Sequence, residues 1–253
     1  MLRGIMVRIP LAAWSSRAMS FVITAPKLPS VPVVGAGPLA EFPVHRIYCV
    51  GRNYVDHAIE MGHSGREPPF FFLKPADAVL PVAEGQTGEM PYPSLTRDLH
   101  HEVELVVAIG KGGRDIPAAQ ALDHVYGYAV GLDMTRRDLQ GEAKKQGRPW
   151  CSGKGFDHSA PISHIRPAAQ CYLNAATRIA LDVNGATRQQ SVIGKLIWSV
   201  PEVIEQLSKG WELAPGDLIY TGTPEGVAAV LEGDLLQASI DGVGSLSLKI
   251  VSD

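Results

Sequence analysis

The chain is most informative at first for what it lacks. Its three cysteines, Cys49, Cys151 and Cys171, lie far apart and form no C-x-x-C pair, which excludes a disulfide framework and a zinc finger and points to a reducing, cytoplasmic setting. No stretch approaches the roughly 20 uncharged apolar residues of a membrane span, so the expectation is a soluble protein without a membrane partner. A basic cluster is also missing. With 23 Lys and Arg against 26 acidic residues the formal charge is −3, and no face collects the cations that neutralising a phosphate backbone requires, so nucleic acid is not an expected partner. There is no internal repeat and no regular β-α-β alternation, which argues against a solenoid and a doubly wound sheet. What remains is an ordinary globular composition, 45 % hydrophobic and 19 % charged, in a chain long enough to bury roughly 70 % of its unfolded surface.

Residues 1–20 carry Arg3, Arg8 and Arg17 and no acid, a faint likeness to a transit peptide. Arg8 and Pro10 break the apolar stretch, however, so a floppy extension is the better expectation, with Met19 as the more ordinary start. From Lys27 to Pro43 proline, glycine and small apolar residues suggest an extended arm on a surface. Residues 1–45 are therefore read as an arm, and 46–253 as the folded domain. Within the domain, IYCV at 47–50 reads as a buried strand, and GRNYVDHAIEMG at 51–62 as a turn leading into a short helix. PFFFLKP at 69–75 is an aromatic strand ended by Pro75, and Pro81 to Pro93 reads as a loop. HHEVELVVAIG at 100–110 and YGYAVGLDMT at 126–135 are strands entering the core, whereas the charged 135–150 stretch suits one surface helical turn and a loop. Asn184-Gly185 and Asp241-Gly242 mark hairpins. VPEVIEQLSKG at 200–210 is a helix, with Pro201 in its first turn and Gly210 as its stop.

Glu102 and Glu104 are two apart on an expected strand, which puts both carboxylates on one face while Val103 and Leu105 face the other. Glutamates on a wet strand face are common. The pair gains meaning from Asp133, a third acid stranded in apolar surroundings, where an unpaired carboxylate would be costly. Three carboxylates with no cysteine nearby offer hard oxygen ligands, suited to Mg²⁺ or Mn²⁺, or to Ca²⁺ with more ligands, and not to zinc. His57 and Glu60 lie three apart, on one helix side; such a pair is either a surface contact of little energetic worth or an imidazole whose basicity a carboxylate raises. His100 and His101 read as supporting residues. Lys154 lies between two glycines that let the backbone approach something closely. GKGG at 110–113 lacks the rest of a Walker motif and reads as a plain turn.

Taken in order, YCVGRNYVDHAIEMG, FFFLKPADAV, HHEVELVVAIG, GLDMTRRDLQ, PWCSGKGFD, VNGATRQ and YTGTPEGV resemble the fumarylacetoacetate hydrolase superfamily over about residues 46 to 251. The resemblance is strongest to the bacterial fumarylpyruvate hydrolases and the acylpyruvase branch. It implies an α+β fold built as a mixed β-roll or β-sandwich with short helices, usually homodimeric. It also implies a divalent metal on Glu102, Glu104 and Asp133, a water-activating His57 with Glu60, and a catalytic Lys154. The substrate region would include Arg52, Lys74, Arg137, Gln140 and Thr223. The implied activity is hydrolysis of a carbon–carbon bond in a small-molecule 2,4-dioxo acid, foremost 3-fumarylpyruvate to fumarate and pyruvate. Acylpyruvate hydrolysis, oxaloacetate decarboxylation and dioxo-acid isomerisation are alternatives on the same site, and a non-catalytic metal-binding protein is a rival of another class.

Overall fold

Period-two alternation, with glycine and proline at the bends, makes this a strand-built chain. A computed structural model describes residues 21–35, 37, 40–55 and 66–252. β1 (Ser30–Pro32) and β2 (Glu41–Pro43) form a small antiparallel pair. Then come β3 (Ile47–Gly51), β4 (Phe70–Lys74), β5 (Val79–Val82), β6 (Thr87–Pro91), β7 (Leu99–His101), β8 (Val103–Ile109), β9 (Val125–Leu132) and β10 (Thr135–Arg136). Helices α1 (Arg137–Lys145) and α2 (Cys151–Lys154) precede β11 (Ala160–Ser163), β12 (Arg166–Pro167), the hairpin β13 (Arg178–Val183) and β14 (Ala186–Val192), and helix α3 (Val200–Gly210). The chain finishes with β15 (Leu218–Tyr220), β16 (Ala228–Val230), β17 (Leu235–Ile240) and β18 (Gly244–Val251).

The largest sheet has the strand order β4-β3-β15-β8-β9-β11-β5, with β12 also paired to β9. A second sheet runs β14-β13-β17-β18-β6, and a small third one runs β10-β7-β16. Pairs β3–β15, β5–β11 and β6–β18 are parallel and the other pairs antiparallel, so both large sheets are mixed. The main core lies between them. Leu105, Val107, Val130 and Leu132 from the first sheet pack with Leu181, Leu236, Leu248 and Ile250 from the second, and Val203, Ile204 and Leu207 of α3 join them. Each such fully buried aliphatic side chain contributes about 1.5–3 kcal/mol. This is the mixed α+β roll with short helices that the sequence leads one to expect.

The opposite face of the first sheet carries a smaller core of Ile47, Cys49, Val106, Ala108, Ala129 and Tyr220, covered by Val31, Val33, Phe42 and Val44. Part of the stretch expected as a surface arm is thus packed into the fold. Alternation on β8 puts Glu104 on this second face with Val106 and Ala108, and alternation on β9 carries Ala129 and Gly131 on to Asp133. Glu104 lies opposite Gly131 in register. A Cβ at Gly131 would come within 2.4 Å of Val106 Cγ2 and 2.6 Å of the Tyr220 ring, so glycine makes room for both side chains beside Glu104.

Several elements differ from expectation. The stretch Pro81–Pro93 is not a loop, because β5 and β6 occupy much of it. Both are edge strands, where proline costs no ladder hydrogen bond. The expected continuous strand 100–110 is interrupted at Glu102, and its halves, β7 and β8, join different sheets. The charged 135–150 stretch forms a full nine-residue helix, α1, with Asp138 in its first turn and Lys144 and Lys145 in its last, an arrangement that suits the helix dipole. The Asn184-Gly185 turn is as expected, with φ of 52° and 78°, and α3 spans the expected residues with a Ser199–Glu202 capping box. The expected helix carrying His57 and Glu60 lies outside the described residues. Among the described residues no helix is long and apolar enough to cross a membrane.

Candidate active site

The end of β9 and the break between β7 and β8 bring the three acids together. The Asp133 N–H donates to the Glu102 carbonyl at 2.8 Å, which ties the two chain segments at the site. Glu102, Glu104 and Asp133 are 6 %, 2 % and 1 % exposed, and each offers an oxygen within 4.8 Å of the others. Burial, and next the charges of Asp133 and Glu102, push the Glu104 carboxyl well above its ordinary range, against the pull of the Gly222 N–H. That N–H donates to Glu104 Oε2 at 2.7 Å.

Among the described residues three cations pair with this cluster. Lys154 Nζ donates to Asp133 Oδ2 at 2.6 Å, to Thr135 Oγ1 at 2.7 Å and to Glu102 Oε2 at 2.9 Å. Burial alone would lower its pKa, but Asp133 and Glu102 outweigh burial and hold it above the usual lysine value. Lys74 Nζ lies 2.8 Å from Asp133 Oδ1 and donates to the carbonyls of Met134, at 3.1 Å, and Lys154. The Arg137 guanidinium pairs with Glu102 and donates to Gln140 Oε1 at 2.7 Å. The Lys74 ammonium faces Asp133 Oδ1 as a buried ion pair, and among the described residues this oxygen accepts no hydrogen bond. Three converging buried carboxylates, an oxygen-only donor set, fit a divalent cation of the Mg²⁺ or Mn²⁺ type.

The acids form the floor of a pocket whose walls include Gly51, Arg52, Phe70, Phe72, Arg137, Gln140, Lys144, Trp150 and Thr223. Gly51 is required there, since a Cβ would fall 2.0 Å from the Phe70 ring. Arg52 has a φ of 54° and lies over Phe70, 4.8 Å from its ring centroid. Next to it, Asn53 holds this turn by donating to the carbonyls of Trp198 at 2.9 Å and Thr221 at 2.7 Å and accepting from the Trp198 N–H at 2.7 Å.

Of the residues expected from sequence, the structure brings together Glu102, Glu104, Asp133, Lys154, Arg52, Arg137, Gln140 and Thr223. Lys74 joins the cluster through Asp133 but not the pocket wall, its side chain being fully buried. His57 and Glu60 lie outside the described residues. His100 and His101 support the site: His100 pairs with Asp98 at 2.8 Å, and burial lowers the His101 pKa to about 4, leaving its ring neutral. GKGG is a turn, tied to the backbone of His124 and Leu213. Gln189 was not anticipated. Its Oε1 accepts from His101 Nδ1 at 2.9 Å and from the Val103 N–H at 3.1 Å, while Nε2 donates to Thr223 Oγ1 and the Pro224 carbonyl, both at 2.9 Å. The available signal was an amide at an inward-facing register position of β14.

Residues 46–251 match the family described as fumarylacetoacetate (FAA) hydrolase C-terminal. The chain belongs to the fumarylacetoacetate hydrolase family. Within it, a solved fumarylpyruvate hydrolase from Pseudomonas aeruginosa, in complex with Mn²⁺ and pyruvate, is 55 % identical with a TM-score of 0.89, covering 92 % of this chain and all of the other. A putative fumarylpyruvate hydrolase from Burkholderia cenocepacia is 52 % identical with a TM-score of 0.85, covering 93 % of this chain and all of that one. The rat protein named oxaloacetate tautomerase FAHD1, mitochondrial, is 47 % identical over 204 residues, 81 % of this chain and 90 % of the rat protein. The motif resemblance and the roll architecture are thus those of a fumarylacetoacetate hydrolase family enzyme.

Proposed function

We propose that this family member is a metal-dependent hydrolase that cleaves a carbon–carbon bond of a 2,4-dioxo acid, with 3-fumarylpyruvate, giving fumarate and pyruvate, as the foremost substrate. The observation that carries this reading is the buried triad of Glu102, Glu104 and Asp133 on the floor of a pocket whose walls carry Arg52, Arg137 and Lys144. Similarity to the P. aeruginosa enzyme, solved with Mn²⁺ and pyruvate, supports it. The triad would hold Mg²⁺ or Mn²⁺, and a bound divalent cation supplies Lewis-acid polarisation of a 2-oxo acid.

The remaining work falls to the chain's own residues. Arg137, fixed by Glu102 and Gln140, offers its guanidinium to the substrate carboxylate. Phe70, Phe72 and Trp150 form an apolar wall for the acyl chain and keep bulk water out. His57, oriented by Glu60, takes a proton from water as the water oxygen bonds to C4. The C3–C4 bond then breaks, its electron pair passes into the three-carbon fragment, and the proton taken by His57 is returned to C3, which completes pyruvate. Lys154 stabilises the negative charge that develops there. The reading takes residues 46–253 as the catalytic domain and 1–45 as an arm, the assembly as a homodimer and the setting as cytoplasmic, consistent with cysteines that are free among the described residues.

A second reading, oxaloacetate tautomerisation or decarboxylation, is favoured by the likeness to the rat FAHD1 protein, and it uses the same oxo-acid pocket without hydrolytic water. Steady-state assays with Mg²⁺ on fumarylpyruvate, acetylpyruvate and oxaloacetate decide between them, and turnover of oxaloacetate alone would overturn the hydrolase reading. In the hydrolase, His57→Ala lowers kcat on an acylpyruvate by roughly 10²–10⁴-fold, the usual contribution of a positioned general base, and leaves Mn²⁺ binding intact. An unaffected acylpyruvate rate removes His57 from the mechanism.

A further inference from the structure

The carboxylate oxygens of Glu102 and Asp133 already face cations. Arg137 approaches Glu102 from the pocket wall, and Lys74 approaches Asp133 from beneath. Lys154 is placed differently, because its Nζ spans the two carboxylates, 2.9 Å from Glu102 Oε2 and 2.6 Å from Asp133 Oδ2. An ammonium is thus seated between two of the acids that a divalent cation would use. We propose that Lys154 competes with a divalent cation for these two carboxylates, and that metal loading drives its ammonium off their oxygens and into the substrate pocket. The inference rests on the metal-dependent reading above and adds an order to it: metal first, substrate second.

The main chain of Lys154 cannot carry the ammonium away. Its backbone is fixed, since its N–H donates to the Trp150 carbonyl at 2.9 Å and its carbonyl accepts from Ser159 Oγ at 3.1 Å and from Lys74. Gly153 beside it is pressed against α1, where a Cβ would fall 2.8 Å from the Gln140 backbone nitrogen. The helix therefore has no room to shift, and the displacement must occur in the side chain. That side chain already lies on the pocket wall, with Nζ 5.1 Å from the Phe72 ring centroid. Repulsion between a divalent cation and an ammonium a few ångströms away in a buried site is strong. The displaced charge meets the anionic substrate instead.

Wild-type protein tests this by competitive lysine acetylation with acetic anhydride, read by mass spectrometry in EDTA and in saturating Mg²⁺, with the buried Lys74 as an internal reference. Lys154 is expected to be acetylated about fivefold or more faster with Mg²⁺ while Lys74 stays protected, as repulsion of the ammonium by the metal requires. Equal protection of Lys154 in both states overturns the proposal. Mn²⁺ titration followed by electron paramagnetic resonance gives an independent reading. Lys154→Met should bind Mn²⁺ about tenfold or more tightly than wild type, because the competing charge is gone, whereas Lys154→Arg should show no such gain. Unchanged or weaker binding by Lys154→Met overturns the inference. Failure of the wild-type protein to bind Mn²⁺ at all would instead refute the metal-dependent reading itself.

Discussion

Replacing Gln189 with leucine removes four buried polar contacts at once while nearly preserving volume. In the native protein the amide satisfies His101 Nδ1, the Val103 N–H, the Thr223 hydroxyl and the Pro224 carbonyl, and Gln189 itself is fully buried. Leucine leaves His101, the Val103 N–H and the Pro224 carbonyl unsatisfied where water does not reach, whereas the Thr223 hydroxyl lines the pocket and can turn to solvent. At about 1 kcal/mol for each of the three groups, the low end of the usual range, the loss is about 3 kcal/mol. For a domain of this size each kcal/mol is about 2–4 °C in Tm, so Tm should fall by about 6–12 °C. Thr223 also loses the contact that aims its hydroxyl at the pocket, so kcat should drop in protein that is still folded at 25 °C. Urea unfolding monitored by circular dichroism measures the stability change, and steady-state assays well below the new Tm measure the catalytic one. A stability loss under about 1 kcal/mol would show that these groups find other partners, and the bridge from β14 to the site would not be structural.

Three further outcomes follow from the geometry. EDTA should abolish turnover and Mg²⁺ or Mn²⁺ restore it, with Glu104→Gln losing Mn²⁺ affinity; full activity in metal-stripped protein would contradict the oxygen-ligand site. Gly131→Ala should cost about 1–3 kcal/mol through overpacking against Val106 and Tyr220 and weaken Mn²⁺ binding, whereas an unchanged urea midpoint would mean that Tyr220 moves freely. Ser199→Ala should destabilise α3 by about 1 kcal/mol through loss of its cap. Ser199 and Arg66 hold the Glu202 carboxyl down to about 2, so this stability is present above the carboxyl's ordinary range and is lost as pH falls towards 2; an unaltered acid-unfolding curve in Ser199→Ala would refute that.

The clustering of the three acids was legible because its signal is local. Alternation along VELVV fixes the face of Glu104, and a carboxylate closing the apolar run before Asp133 is a visible anomaly. Hairpins announced by Asn184-Gly185 and a helix bounded by Pro201 and Gly210 are local in the same sense. Gln189 and Asn53 were not legible, since their partners lie 88 and 145 positions away and nothing in the neighbouring residues marks an amide as a tie between distant segments. Lys74 shows the limit of motif reasoning. Alternation on β4 puts it on the face of Phe70 and Phe72, but one step deeper, where it neutralises Asp133 and leaves the pocket wall to the two rings. The strands β5 and β6 were hidden because proline argues against strands in general, and edge position is a property of the whole sheet.

The placement of β15 between β3 and β8 also governs how the chain reaches its native state. Arg46 and Asp217 pair across 171 positions, and joining β15 to β3 closes a loop of that order at an entropic cost of about 4–5 kcal/mol. During synthesis β3 and β8 emerge long before the strand that separates them, so their facing edges wait unpaired and are open to wrong partners. Ribosome-bound chains that stop short of Leu218 should therefore remain protease-sensitive throughout the larger sheet, and protection should arrive in a single late step when β15 is released. Refolding from urea should be correspondingly slow, as expected of a topology dominated by distant contacts.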